Sequence, residues 1–298
     1  MRVFVLGGTG VIGSAVVREL IVRGHELFAL ARSHQSASKL SECGATPIAG
    51  DIASPERWVT TLPPIDAVIH AACDFNSDMA AIDRHLLDML LPALGAQPTK
   101  IRFITTGGCW LYGATGDALA TEATPFRPLP AFAWMVPHIE RVLASPEVDG
   151  IVIHPAMVYA NDAGGVFRRF AREAIEREAV RVTGSEDVRW PLVHSEDLAK
   201  LYALAVERAQ AGSSYIGAAI EGFPVGRIAR AFAARCGTRH LEPQIISADE
   251  IAAELGEWAR GYALDQRLSG ARARAELGWQ PRHLDPEAEI AALRSDGD

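Results

Sequence analysis

A glycine-rich segment, GGTGVIG at residues 7–13, is the feature that most constrains the fold of this chain. It follows a short apolar run at residues 2–6, which is typical of a parallel strand buried on both faces. The glycine-rich segment leads into residues Val11–Arg23, where apolar side chains recur at helical spacing. Gly24 follows, and a glycine can end a helix in a left-handed conformation. Glycines at this spacing allow a tight turn, and the missing Cβ atoms let backbone N–H groups approach a pyrophosphate. The segment therefore predicts a dinucleotide-binding loop between a strand and a helix.

The order of the remaining elements predicts the fold class. After the first helix, strands are predicted at residues 25–31, 46–49, 67–70, 102–106 and 150–154, and helices at 80–91 and 137–143. Strands that alternate with helices predict an α/β, Rossmann-type fold, in which a doubly wound parallel sheet has helices on both faces.

The pattern changes after Tyr159. Helices are predicted at residues 167–178, 196–209 (with Ser195 as the N-cap) and 226–235. We therefore expect a dinucleotide-binding domain over residues 1–160, with its sheet completed by parts of 180–220. Residues 161–298 are expected to form mostly a smaller, interleaved substrate-binding lobe.

Composition excludes several classes of protein. Hydrophobic residues make up 49% of the chain and charged residues 22%, as in ordinary globular domains, and the net charge of −8 argues against a general nucleic-acid binder. The four cysteines are scattered without CxxC spacing, so neither a metal site nor a disulfide framework is expected. No apolar run reaches the roughly 18 to 20 residues of a membrane span, and the first strand leaves no room for a signal peptide. We expect a cytoplasmic protein with no membrane partner.

The end of the second predicted strand bears on the choice of cofactor. Proteins that bind NAD usually place an acidic residue there to hold the ribose 2′-hydroxyl, whereas an arginine accommodates the 2′-phosphate of NADP. Here the strand runs into Arg32 and Ser33 without an acid. Arg32 can pair with a phosphate and Ser33 can donate a hydrogen bond to it, which favours NADP; the alternative is an ordinary solvated arginine.

Further motifs resemble those of the extended short-chain dehydrogenase/reductase family, in its NAD-dependent epimerase/dehydratase group. In chain order they are GGTGVIG at 7–13, GDI at 50–52, VIHAA at 68–72, LYG at 111–113, HPAMVY at 154–159, VHSEDLA at 193–199 and ELGWQP at 276–281. The resemblance covers nearly the whole chain and implies a small-molecule substrate and a possible homodimer.

The resemblance also implies roles for individual residues. The pyrophosphate loop would contribute Gly7, Thr9, Gly10, Val11, Ile12 and Gly13. Asp51 and Ile52 would lie beside the adenine, and Ala71 and Ala72 along the ribose. Pro155, Met157 and Val158 would lie near the nicotinamide. For His70 and His194 we favour packing roles at strand ends.

The chain departs from the family in the residues that transfer protons. The family uses a Ser or Thr together with Tyr-xxx-Lys on one helix, whereas here Trp134 and His138 occupy the Tyr and Lys positions. The usual Ser position falls on Gly108, with Thr106 nearby at the end of a strand. An indole N–H donates a hydrogen bond but is neither a practical acid nor a base.

Three interpretations follow from this departure. In the first, the protein is an atypical NADP-dependent oxidoreductase acting on a carbonyl, alcohol or sugar-like molecule. His138, of a residue type that titrates near 6.5, would then shuttle a proton and also contact the cofactor, while Thr106 or Tyr112 orients the substrate oxygen. In the second, the protein binds NADP(H) without turnover, as a sensor or interaction partner. In the third, its role is structural or complex-building, and the cofactor only stabilises the fold.

Overall fold

Strands and helices alternate through the residues that the computed structural model describes, which are 1–75, 77–161, 164–238, 240 and 242–293. The strands are β1 (Arg2–Leu6), β2 (Glu26–Ala31), β3 (Thr46–Ala49), β4 (Ala67–His70), β5 (Ile101–Thr106), β6 (Val148–Pro155), β7 (Met157–Tyr159), β8 (Arg181–Thr183), β9 (Arg189–His194), β10 (Ser214–Gly217), β11 (Ile220–Pro224) and β12 (Gln244–Ile246). The α-helices are α1 (Val11–Val22), α2 (His34–Glu42), α3 (Met79–Gly95), α4 (Met135–Leu143), α5 (Val166–Arg177), α6 (Ser195–Arg208), α7 (Val225–Cys236), α8 (Ala248–Leu255), α9 (Ala271–Leu277) and α10 (Pro286–Ala292).

Seven of these strands form one parallel sheet in the order β10-β6-β5-β4-β1-β2-β3. The strand order reverses between β1 and β4, which pair in register from Val3 opposite Ala67 to Leu6 opposite His70. In open α/β sheets, ligands bind at such a reversal, outside the carboxyl ends of the strands. The predicted Rossmann-type architecture is confirmed, and β10 returns to the large sheet from the C-terminal part of the chain.

Strand β1 shows why the sheet needs a continuous apolar run. Val3 and Val5 belong to a buried cluster that also contains residues of α1 and α6, whereas Phe4 and Leu6 pack on the opposite face with leucines of α3. Because successive side chains of a strand point to opposite faces, both faces of β1 are covered from Val3 to Leu6, and its one charged residue, Arg2, stands at the first position in an ion pair with Asp66.

The C-terminal part of the chain adds two smaller sheets. Strand β9 pairs antiparallel with β11 and parallel with β7, and β8 pairs parallel with β12. Helix α6 leaves this region and packs against α1 on the large sheet. The two parts of the chain are therefore interleaved through α6 and β10.

Two local predictions need correction, and one helix was missed. Helix α6 is capped by His194, whose Nδ1 accepts a hydrogen bond from the Glu196 N–H at 3.3 Å, and Ser195 is already its first residue. Helix α3 runs beyond the predicted residue 91 and through Pro92, because its leucine face stays buried as far as Leu94. Helix α2 was not predicted, since only Leu40 of its nine residues is buried and the segment lacks an apolar stripe.

His154, near the end of β6, is fully buried, and neither ring nitrogen has a hydrogen-bond partner among the described residues. A Cβ at Gly107 would lie 2.3 Å from its Nδ1, so glycine at 107 makes room for the imidazole. Burial lowers the pKa of His154 to about 3, which keeps the ring neutral in the folded protein.

This histidine predicts a loss of stability in acid. Below about pH 6.5 the unfolded chain protonates His154 and the folded chain does not, so the free energy of unfolding falls as the pH drops toward 3. His154→Leu should remove on the order of 4 kcal/mol of this fall between pH 6.5 and 3.5, measured by urea denaturation. The control His34→Leu changes an exposed histidine and should keep the native slope. An identical acid slope in native protein and His154→Leu would contradict the prediction.

Candidate cofactor and active site

The glycine loop between β1 and α1 is shaped by two close backbone approaches. Gly7 has a φ of +86°, and a Cβ there would lie 2.6 Å from the carbonyl oxygen of Ala71. A Cβ on Gly13 would lie 2.1 Å from the Gly7 carbonyl oxygen. A Cβ on Gly10, by contrast, meets only that oxygen, at an ordinary 3.5 Å. The protein's own packing thus requires Gly7 and Gly13, and leaves free space beside Gly10.

The start of α1 is suited to an anion. Gly10 is its N-cap, and within the described residues no side chain accepts a hydrogen bond from its first turn. The backbone N–H groups of Val11 and Ile12 precede the first internal helix bond, which Ser14 donates to Gly10 at 2.8 Å. Unpaired N–H groups and the positive end of the helix dipole favour a pyrophosphate here. The loop therefore fits the dinucleotide expected from the sequence.

A cavity of about 520 Å³ opens beside this loop, at the carboxyl ends of the central strands. It gathers candidate residues from five separate stretches of the chain. These are Gly10, Val11, Ile12, Ala71, Ala72, Thr106, Trp134, His138, Pro155, Met157 and Val158.

Other candidates lie outside the cavity. Gly7, Thr9 and Gly13 belong to the loop itself, while Arg32, Ser33, Asp51 and Ile52 follow the ends of β2 and β3. Arg32 is exposed and forms neither a hydrogen bond nor an ion pair with any residue that the structure describes. Ser33 caps α2 by accepting the Ser36 N–H, and the Asp51 carboxylate accepts the Ala53 N–H at 2.9 Å. The Arg32 guanidinium is therefore available to a ligand at this edge of the sheet.

Two candidate catalytic residues are placed unfavourably for proton transfer or substrate contact. Tyr112 is 2% exposed, its hydroxyl has no partner among the described residues, and it is not part of the cavity wall. Burial raises its pKa above the usual range for tyrosine. Trp134 lines the cavity, but its indole N–H donates to the Ala131 carbonyl at 3.1 Å. The structure therefore does not bring Tyr112 to a substrate, and Trp134 contributes a ring to the wall.

His138 is held by a residue that the sequence analysis did not single out. Its Nδ1 lies 2.6 Å from one carboxylate oxygen of Asp83, and the Nε2 of His70 lies 2.7 Å from the other. All three residues line the cavity. Burial alone would raise the pKa of Asp83, but hydrogen bonds from His138 and His70 hold it well below its usual range, so Asp83 is ionised.

The protonation of these contacts follows from the ionised carboxylate. Because it can only accept hydrogen bonds, the contacting nitrogens of both histidines carry protons. The Nε2 of His138 is then the ring nitrogen left for a bound molecule. His70, for which we favoured packing, is 5% exposed and also supports this carboxylate.

A signal for Asp83 was present in the sequence. On α3 it precedes Leu86, Leu87 and Leu90 by three, four and seven residues, so it lies on the helix face that carries the buried leucines. A carboxylate on an apolar face needs a partner, and histidines at 70 and 138 are its partners here.

Thr106, at the end of β5, is the remaining polar candidate in the cavity. Its hydroxyl lies 2.6 Å from that of Tyr202, a fully buried residue of α6 whose pKa burial raises. If Tyr202 donates this hydrogen bond, the Thr106 hydrogen is free to point at a substrate oxygen.

A group of potential metal ligands occurs elsewhere, where His194, Glu196 and His283 place their donor atoms within 4.8 Å of one another. Both nitrogens of His194 are engaged, because Nδ1 caps α6 and Nε2 lies 2.9 Å from the side-chain oxygen of Asn161. His283 pairs with Glu289 at 2.6 Å. These contacts give the cluster a structural role in joining α6 to the C-terminal segment.

Comparison with known proteins agrees with this geometry. The model of the NAD-dependent epimerase/dehydratase family matches residues 3–217, which is most of the chain. The chain belongs to this family. An uncharacterized protein of Schizosaccharomyces pombe is 29% identical over 98% of this chain and 99% of its own length. A 4-hydroxy-2-methyl-3-oxo-4-farnesyl-3,4-dihydroquinoline-1-oxide ketoreductase of Stigmatella aurantiaca is 25% identical over 99% of this chain and 85% of its length.

Solved structures of this family share the fold. A dTDP-glucose 4,6-dehydratase of Streptomyces venezuelae, solved with NAD, superposes with a TM-score of 0.82 at 18% identity, over 98% of this chain and 95% of that one. A human epimerase family protein solved with NADPH gives a TM-score of 0.77 at 20% identity, over 98% and 99%. Among the helices described here, none combines the length and apolarity needed to cross a bilayer.

The glycine loop generates a prediction about cofactor binding. Gly10→Val should keep the free energy of unfolding within about 1 kcal/mol of native, because the protein leaves room for a Cβ there. It should lower NADPH affinity at least 100-fold, measured by calorimetric titration, because the side chain would fill the space for the pyrophosphate. The contrasting variant Gly13→Ala should be markedly less stable than native. Native NADPH affinity in a folded Gly10→Val protein would show that the pyrophosphate binds elsewhere.

Proposed function

We propose that this protein is an NADP-dependent oxidoreductase that acts on a carbonyl or alcohol of a small molecule. In it His138, at the family's lysine position, transfers the proton that the family's tyrosine transfers elsewhere. One observation carries the proposal: a single cavity holds His138, fixed by an ionised Asp83, together with Thr106 and the candidate nicotinamide residues. The Stigmatella relative is a ketoreductase, which supports the reaction class.

The preference for NADP rests on Arg32. The end of β2 carries no acid to hold a ribose 2′-hydroxyl, and the exposed guanidinium has no carboxylate partner among the described residues. A guanidinium in this position suits the added charge of a 2′-phosphate.

Arg32→Ala should therefore remove most of the preference for NADPH over NADH. The lost charge-assisted hydrogen bonds correspond to roughly 1.5–3 kcal/mol, or about 10- to 150-fold in affinity, while NADH affinity should change little. Calorimetric titration of both cofactors measures the difference. The control Arg18→Ala removes an exposed arginine from α1 and should retain the native preference. Equal affinities of the native protein for the two cofactors would refute this prediction.

When bound, the nicotinamide supplies or accepts a hydride; the residues of the chain manage the proton. His138 holds its Nδ1 proton toward Asp83 and presents Nε2 to the substrate oxygen. As an imidazolium it donates a proton to a carbonyl oxygen, and as neutral imidazole it accepts one from a hydroxyl. The Asp83 carboxylate fixes the ring orientation and balances the positive charge.

His138→Ala should lower turnover about 10²- to 10⁴-fold at saturating NADPH, the usual cost of losing a general acid or base. Asp83→Asn should lower it less, because it removes the charge that balances the imidazolium and leaves the imidazole. Both variants should keep near-native NADPH affinity. The pH dependence of turnover in the native protein should disappear in His138→Ala, and it should be unaltered in His85→Ala, which changes an exposed histidine of α3.

Two outcomes would contradict the role of His138. A raised dissociation constant for NADPH with unchanged saturated turnover would mean that the residue only holds the cofactor. A His138→Ala protein as fast as native, with the same pH profile, would remove the residue from the mechanism altogether.

A further inference from the structure

Besides residues of the glycine loop, a group of aromatic rings lines the cavity. Trp110 and Trp258 stack with centroids 6.2 Å apart, and Phe132 lies 5.5 Å from Trp110. Phe75 contacts Trp258 at 5.4 Å, and Tyr262 contacts Trp110 at 5.5 Å. These rings come from the segments after β4 and β5, from the turn Pro130–Phe132 before α4 and from the C-terminal part of the chain, so the wall forms only in the folded protein.

Glycine at position 261 allows the rings to meet. A Cβ there would lie 2.4 Å from the Trp110 ring. The turn that carries Trp258 and Tyr262, residues Glu257–Ala263, can therefore pack directly onto the indole. The rings of the wall are thus closely packed, and the backbone at Gly261 lies directly against one of them.

One ring of this wall remains uncovered. Phe75 is 50% exposed, although its ring contacts Phe132 edge-on and Trp258 in a tilted orientation. An exposed phenyl ring at the opening of an apolar cavity gains by being covered, and a bound apolar ligand would cover it.

The charges around the cavity disfavour an anionic substrate. Among the described residues that line it, none is a lysine or arginine, and the single carboxylate, Asp83, is occupied by two histidines. The diphosphate of a nucleotide-linked sugar is normally held by arginine or lysine side chains. A polyhydroxylated ring would also need more hydrogen-bond partners than this wall supplies, since its polar groups are the indole N–H groups of Trp110 and Trp258 and the Tyr262 hydroxyl.

We infer that the substrate is a neutral ketone, or the matching secondary alcohol, in which the carbon that bears the oxygen is bonded to an aromatic ring system. The inference rests on the proposed function, since it places the oxygen at His138 and Thr106 and the ring system against Trp110, Phe132 and Trp258. Aromatic rings prefer offset-stacked or edge-on contacts with other rings, and this wall offers both. The arrangement thereby separates a polar end, where the reaction occurs, from an aromatic end that selects the substrate.

Binding measurements with defined probes test this inference without depending on turnover. Titration of the protein saturated with NADP⁺, and of the protein alone, would use 2-acetylnaphthalene, cyclohexyl methyl ketone and UDP-glucose, followed by ligand-observed NMR and calorimetry. We expect 2-acetylnaphthalene to bind at least tenfold more tightly than either other probe. Phe75→Ala and Trp258→Ala should each weaken it about tenfold, the scale of one lost aromatic contact. The control Phe223→Ala removes a ring of β11 outside the cavity and should have no effect.

The outcomes separate this inference from the proposed function. Tighter binding of UDP-glucose or of the aliphatic ketone, or 2-acetylnaphthalene affinity unaffected by both cavity variants, would overturn the substrate class while cofactor binding stands. A protein that binds neither NADPH nor NADH would overturn the proposed function, whatever its affinity for the aromatic ketone.

Discussion

The close approach of α1 to β1 is the constraint on which the rest of the site depends. It is possible because a glycine at 13 brings the helix backbone against the carbonyl oxygen of Gly7, where any Cβ would overlap. This contact places the first turn of α1 beside the ends of β4 and β6, so that Val11 and Ile12 share a cavity with Ala71 and Pro155. A wider loop would move the unpaired N–H groups away from the strand ends. The helix dipole would then no longer act where the sheet opens.

A second constraint is the cost of a carboxylate on the leucine face of α3. An ionised group in that position is tolerated only with hydrogen-bonding partners, and Asp83 obtains one for each oxygen from His70 and His138. The two histidines lie on different elements, since His70 ends β4 and His138 belongs to α4. The carboxylate therefore joins α3 to β4 and α4, and it fixes the imidazole that faces the cavity.

Most of the fold followed from patterns that are local in sequence. Local patterns were enough to predict the loop at 7–13, the central strands and the amphipathic helices. Each of these patterns arises from neighbouring residues, through backbone geometry or the burial of apolar side chains. The elements that were missed depend on distant residues. Helix α2 has a single buried residue, and His194 replaces Ser195 as a cap because β9 continues directly into α6. Tyr112 matches a family motif, yet its ring packs against Phe126 and His154 and its hydroxyl is buried without a partner among the described residues, which the sequence does not reveal.

The same distinction explains why the proposed proton-transfer group was only half visible in the sequence. Alignment to the family helix identified His138, because it occupies a known position relative to Trp134. Asp83 lies 55 residues earlier, on another helix, and only the packing of α3 against α4 brings it within 2.6 Å of the imidazole. In the family, tyrosine and lysine act from one helix, whereas here the imidazole and its carboxylate come from two. In the proposed mechanism the relative position of α3 and α4 therefore matters for proton transfer, and substitutions in their shared interface should alter turnover without touching the cofactor.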